Sequence, residues 1–371
     1  MLPYILLIVV ALICSFCAYT NTTSRTGRIV VGNTNYIKEN NICIATFFLL
    51  LFILMALRDI TVGVDLLGYK EIFLDVKNMQ FSDLSIQYGD YLYIVLNWII
   101  GRFTDHYQVF IAIVSALTLL PVCVQYSRER RHAFLKIVLF MNMPIFIMFF
   151  SGLRQSLAMA FTMIAYEFVK KKKFIPFIIT SLISMGFHHS AFIIFALYPL
   201  YYMRLRKTHL FLCVPMVGVV FVFNRQIFSF LTALTTGILG EQYDAVASST
   251  NAYGYIILLA LFVLLAYLIT NERTVVGEAL GLRNYLLLAL FLQCFAPVHT
   301  LAMRMNYYFL MFLPMALSQT LNCASVKNRR IAQLAEYILV IYFVYYYIAN
   351  VYKMGIIEGQ ALGVYPYKLF F

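Results

Sequence analysis

Three arginines, two histidines and an aspartate stand out in this 371-residue chain because their surroundings are so apolar. Arg58 ends a long apolar run, and Asp65 follows it in Arg58-Asp59-Ile60-Thr61-Val62-Gly63-Val64-Asp65. Arg154 opens another run, in Ser151-Gly152-Leu153-Arg154-Gln155-Ser156-Leu157-Ala158. His188 and His189 sit together between two short runs, and Arg304 lies beside Tyr307 and Tyr308. A charge at the centre of a bilayer costs about 2.5–3.5 kcal/mol on insertion scales, so charges confined to the ends of apolar runs are informative. The guanidinium fork matches phosphate oxygens bidentately. A hydrogen bond to a charged group contributes about 1.5–3 kcal/mol. Two or three arginines could therefore offset the cost of drawing a lipid diphosphate below the headgroups. They could also stabilise the charge that grows when a sugar–diphosphate bond breaks. An attacking sugar hydroxyl needs a proton acceptor, and Asp65, His188 and Glu241 are the candidates. Taken singly, each arginine reads equally well as a side chain snorkelling to headgroups.

Other chemistries lack their residues. No Asp-x-Asp is present to hold a metal-bound nucleotide sugar, and no Gly-x-x-x-x-Gly-Lys-Ser/Thr phosphate loop appears. Adjacent helical residues face different ways, which makes His188-His189 a poor metal motif, so no metal or other cofactor is expected. Of the 7 cysteines, Cys14 and Cys17 have a redox spacing, but inside an apolar run they read as small hydrophobes. The run Lys170 to Lys173 reads as a membrane anchor.

The elements that must position these residues are membrane helices. Apolar residues make up 63% of the chain and charged ones 12%, with a mean hydropathy of +0.83. A soluble domain is nearer half apolar and a quarter charged, so a water-soluble globule is excluded. The expected fold is an all-α polytopic protein, one integral membrane domain over 1–371. Spans are expected near 2–20, 41–57, 107–125, 133–150, 152–169, 174–187, 189–203, 209–223, 254–270, 284–301, 305–321 and 336–350. That is about 12 crossings, with 12–14 as the range. The first run has no preceding Lys or Arg and reads as a retained helix. A further run, 91–103, would reach only about 20 Å as a helix and contains Asn97 and Arg102. If it does not cross, the basic loop clusters all fall on one side, as positive-inside topology requires. It therefore reads as re-entrant or interfacial. The net charge of +12 is then a topology signal, not a nucleic-acid surface. The outward segments are a module over 58–106 carrying Arg58 and Asp65, a loop over 224–253, and the tail after Val351. Tyr69, Tyr243 and Tyr308 could stack on or hydrogen-bond sugars.

The same residues resemble a family. Arg58-x4-Gly63-x-Asp65-x3-Tyr69, the Ser151-to-Ala158 block, Phe187-His188-His189-Ser190-Ala191 and Arg304-x2-Tyr307-Tyr308 occur in the order of the EpsG family motifs. Val64 departs from the pattern, standing where a small hydroxyl residue is usual. EpsG proteins belong to the broad Wzy class of bacterial exopolysaccharide and O-antigen polymerases. The resemblance implies a GT-C-like glycosyltransferase of the bacterial inner (plasma) membrane, with its site facing the periplasm or exterior. It would need no metal, and would move a glycan from undecaprenyl diphosphate to the non-reducing end of another lipid-linked repeat unit. Implied partners are undecaprenyl-diphosphate-linked oligosaccharide, membrane lipid, a flippase and a chain-length regulator. Arg154 and Arg304 would clamp the diphosphate with Arg58 assisting. Gln155 and His189, inside the matched motifs, count with the substrate-binding set. The rivals are an O-antigen-ligase-like or other lipid-linked transferase, a flippase or transporter of lipid-linked glycans, and a structural subunit of an export complex.

Overall fold

The computed structural model describes residues 1–26, 34–84, 90–128, 131–239, 252–273, 275–356 and 361–371. Among them every regular element is helical. The only extended pairings are isolated bridges, Arg58 with Leu369 and Thr270 with Ala324. The α-helices are α1 (Leu2–Thr26), α2 (Thr34–Ala56), α3 (Leu66–Val76), α4 (Tyr91–Gly101), α5 (Tyr107–Arg128), α6 (Ala133–Asn142), α7 (Pro144–Ser151), α8 (Leu153–Lys170), α9 (Phe174–Phe187), α10 (Leu197–Tyr202), α11 (Leu210–Val222), α12 (Asn224–Leu239), α13 (Tyr253–Leu268), α14 (Glu278–Gln293), α15 (Thr300–Leu310), α16 (Leu313–Asn322) and α17 (Arg329–Ile356). They fall into two compact units, Met1–Phe192 with Ala335–Phe371, and Ile193–Leu334.

Several expected spans are broken. The run 133–150 is apolar apart from Lys136 and Asn142, yet α6 and α7 meet at a 65° bend. Pro144 has no N–H to give and clashes with a helical residue before it, so Met143 is extended (φ −84°, ψ 150°). The run 305–321 divides into α15 and α16 at Met311–Phe312, where Pro314 sits in the first turn of the new helix. Residues 189–203 form a 3-10 segment, His189–Ala196, followed by the short α10. The outward segment over 224–253, read as a loop with short amphipathic pieces, begins with the helix α12, set at 80° to α11. Two helices, Tyr107–Arg128 and the segment Val326–Met354, are long and apolar enough to cross a membrane among the described residues. The count rises to four if each bent pair is one span. This is fewer than the composition suggested, because hydropathy runs on smoothly through backbone breaks. The segment 91–103 holds α4, whose 11 residues rise only about 16 Å.

In the first unit α8 packs against α9, α2 against α1 and α5, and α4 against α3 and α9. Small residues in α8 allow its close contact with α9. Ser184 Oγ of α9 donates to the Ala158 carbonyl of α8 at 2.7 Å, with Thr162 Oγ1 3.4 Å away. The far half of α17 joins this unit, where Asn142 Nδ2 donates to the Phe343 carbonyl at 3.0 Å. The C-terminal segment then crosses the turn that leads into α3. Asp59 N donates to Lys368 O, Gly63 N to Gly363 O, and Val64 N to Leu362 O, at 2.8 to 3.1 Å. Tyr4 Oη adds a bond to Val364 O at 2.7 Å.

In the second unit α14 is the central helix, touching α10, α11, α13, α15 and α16. Its one charged residue beyond the first turn, Arg283, is 2% exposed, donates to Glu272 Oε1 at 2.9 Å and lies 4.1 Å from the Tyr267 ring centre.

Gly63 shows how tightly the α3 turn is built. Its φ of +119° is open to glycine, and a Cβ there would lie 2.5 Å from the Phe150 carbonyl oxygen. Gly63→Ala is therefore expected to destabilise the first unit by about 1–3 kcal/mol. Thermal unfolding of the detergent-solubilised protein measures it as a lowered Tm.

Candidate active site

The first unit gathers four polar side chains from three distant segments. Arg154 stands in the first turn of α8. Asp90 immediately precedes α4. His188 ends α9, and His189 begins the 3-10 segment after it. Asp90 is the hub. Its Oδ2 lies 3.2 Å from Arg154 Nη1 and 3.2 Å from His188 Nδ1. Its Oδ1 lies 3.2 Å from His189 Nδ1 and accepts the His189 backbone N–H at 3.0 Å. An aspartate at this position usually caps the helix with its side chain. Here no such cap forms, and the carboxylate is turned away to meet the histidines.

The backbone explains the convergence. His188 is extended (φ −160°, ψ 119°), so it and His189 do not project as neighbours on a helix would. That corrects the expectation that adjacent histidines must diverge. Gly186 brings α9 against α4, since a Cβ there would lie 2.6 Å from Leu92 Cγ. The Ser184–Ala158 bond fixes α9 against α8, and so His188 relative to Arg154.

The electrostatics follow from this geometry. Burial pushes the Asp90 carboxyl up, but hydrogen bonds from His188 and His189 and the charge of Arg154 outweigh it and hold the group well below the usual carboxylate range. Burial pushes His188 down from its ordinary value, against the pull of Asp90, which favours the neutral ring at pH 7. A carboxylate facing Nδ1 favours the tautomer with the proton there, leaving Nε2 as an acceptor. Arg154 lies 5.9 Å from the Tyr69 ring centre and keeps part of its side chain exposed.

The expected site residues divide clearly. Arg154, His188 and His189 come together. Tyr69 is 7% exposed and lies under the Arg154 guanidinium, a floor for the arginine and no open sugar platform. Asp65 is exposed and outside this group, accepting a hydrogen bond at Oδ2 from Ser151 Oγ at 3.3 Å. Gln155 is buried at 2% exposure, pointing into the packed side of α8. Arg58 needs correction as a surface clamp. It is fully buried, with its guanidinium 5.4 Å from the Phe150 ring centre. None of its three side-chain nitrogens has a hydrogen-bond partner among the described residues. Burial lowers its pKa to about 10, while Tyr107, Tyr4 and Tyr367 pull the other way. The C-terminal segment covers it, and nothing in the residues around 58 announces that cover.

In the second unit Arg304 is exposed within α15, not in a turn between helices as expected. Tyr308, expected near sugars, is 0% exposed in the core of that unit. His299, absent from the expected set, caps α15 by accepting the Leu301 N–H at 3.0 Å and stacks on Phe228. Glu241 and Tyr243 lie outside the described residues. Asp90 is the residue missed. Its signal was a single carboxylate directly before an apolar run too short to span.

The apolar composition and the all-helical described residues are those of a helical membrane protein, whose first unit gathers an arginine, a carboxylate and two imidazoles. The EpsG family model matches residues 41–369, and the chain belongs to the EpsG family, which is linked to exopolysaccharide biosynthesis. No curated protein and no solved structure matches it.

Asp90→Asn tests the hub. The native carboxyl sits low, so its stabilisation is complete above the unfolded value of about 3.9 and is lost as pH falls through the native value. The stability gap between wild type and variant is expected to be present at neutral pH and to narrow below about pH 4, as read by unfolding at a series of pH values.

Proposed function

We propose that this protein is a polysaccharide polymerase of the Wzy kind, a multi-pass GT-C-like glycosyltransferase working at the outer leaflet. Its donor is a glycan on undecaprenyl diphosphate, and its acceptor is the non-reducing end of another lipid-linked repeat unit. The observation that carries this reading is the Arg154–Asp90–His188 constellation, in which one carboxylate holds both an anion-binding fork and an oriented imidazole. Family membership points the same way.

The geometry supports the following reaction. Asp90 holds the Arg154 fork until an anion of higher charge arrives. The diphosphate then takes the fork, and the bond between the anomeric carbon and the diphosphate oxygen breaks. Guanidinium N–H groups stabilise the charge growing on the leaving undecaprenyl diphosphate. The acceptor hydroxyl oxygen forms the new glycosidic bond, and its proton passes to His188 Nε2. Asp90 keeps the ring oriented and stabilises the imidazolium that results, as a carboxylate does behind a catalytic histidine. No metal ion is required for the transfer. Asp65, exposed beside Ser151, is an alternative proton acceptor. Arg304, in the second unit, is assigned no step in this scheme.

The test is polymer size in cells carrying single variants. Arg154→Lys keeps the charge and loses the fork, and it should reduce long polymer by at least about tenfold, with lipid-linked single units accumulating on the outer leaflet. Asp90→Asn should do the same, and Asp65→Asn less. Full-length polymer with Arg154→Lys removes Arg154 from the reaction. Accumulation of single units on the inner leaflet assigns transport instead of transfer.

A further inference from the structure

We propose that Asp90, His188 and His189 form a binding site for a divalent transition-metal ion such as Zn²⁺, and that the bound ion shuts the site off. The ligand-type atoms of these three residues lie within 4.8 Å of one another. Two of the separations are 3.2 Å, one from each carboxylate oxygen to an imidazole Nδ1. A tetrahedral zinc site with bonds near 2.1 Å sets neighbouring donors about 3.4 Å apart. Two imidazoles and a carboxylate suit borderline ions such as zinc, cobalt and nickel more than magnesium or calcium, which prefer oxygen alone.

The cluster differs in its parts. Asp90 and His188 are held in place, with side chains 9% and 11% exposed, while the His189 side chain is 60% exposed. Closing the widest gap therefore falls to His189, which has room to turn. The same exposure gives an ion its way in and leaves further coordination positions for water. The ion replaces the protons now shared between Asp90 and the two Nδ1 atoms. Arg154, on Oδ2, opposes it as a like charge. Metal and guanidinium thus compete for one carboxylate.

That competition separates a metal site from a plain hydrogen-bond hub. Metal binding rests on this geometry alone. Its effect on turnover rests on the proposed transfer reaction, because the ion takes the atoms by which Asp90 orients His188 and displaces Arg154 from its partner.

The experiment uses the full-length protein in detergent, freed of metal with a chelator. Co²⁺ is titrated and followed by its visible absorption, and Zn²⁺ is titrated against a chromophoric chelator. One ion per chain is expected. His189→Ala should weaken binding by at least about tenfold. Arg154→Gln should tighten it, which a hub with no metal role would not do. No uptake by the wild type, or uptake unchanged in His189→Ala, overturns the proposal. A parallel assay of polymer formation from lipid-linked repeat units should show Zn²⁺ inhibiting the wild type more than His189→Ala. Stoichiometric binding without inhibition overturns the shut-off role. An inactive preparation that still binds one ion counts against the transfer reading and leaves the metal site standing.

Discussion

One carboxylate organises the polar chemistry of the first unit. Asp90 meets Arg154, His188 and His189, each more than 60 positions away in the chain. A buried carboxylate is costly unless its oxygens are matched by donors, and donors alone repel when two or three are cationic. Together they balance. The residue that lowers the cost of burying Arg154 is the residue that turns His188, so both side chains are held by one oxygen atom, Asp90 Oδ2. Loss of Asp90 would leave an arginine and two imidazoles facing each other with no charge between them.

The frame around this carboxylate is built by close backbone approach more than by bulk. Gly186 lets α9 rest on α4, and Ser184 ties α9 to α8 through a carbonyl. Gly63 folds the turn before α3 against the end of α7. Phe150, Ser151 and Gly152 then lead directly into Arg154. Each contact joins two segments that carry a site residue or neighbour one, so a shift of an ångström at a glycine moves a donor out of hydrogen-bond range. The aromatic packing nearby, with Tyr69 against Tyr93 and Phe73 against Phe110, is suited to resist such a shift.

How much of this was legible in the sequence depended on whether a feature is local. Arg154 and the two histidines were legible because a charge at the end of an apolar run has few uses. The helical class was legible from composition. The bends were not, since Asn142 and Pro144 are a small interruption that a membrane helix tolerates, and a 65° turn leaves the apolar pattern on either side intact. Asp90 was hidden by an ordinary explanation, because an aspartate before a helix is usually a cap. The convergence of His188 and His189 was hidden by a helical assumption, when the backbone at His188 is extended. Burial of Tyr308 and Gln155 depends on which helix faces which, and periodicity alone does not decide that.

Arg58 carries the argument a step further. A guanidinium taken wholly out of water loses several kcal/mol of solvation, even after local relaxation. Contact with an aromatic face returns about 2 kcal/mol when desolvated. Phe150 supplies that kind of partner, but no carboxylate or carbonyl meets its nitrogens among the described residues. Such a residue is held by the fold around it, here by the bonds of the C-terminal segment to residues 57–64. Its reach is therefore indirect. It stacks on Phe150, Phe150 precedes Ser151, Ser151 binds Asp65, and three residues later comes Arg154. The motifs that carry Arg58 and Arg154 thus meet through Phe150 and Ser151. Of the two arginines, one stays partly exposed beside Asp90, and the other is covered against Phe150.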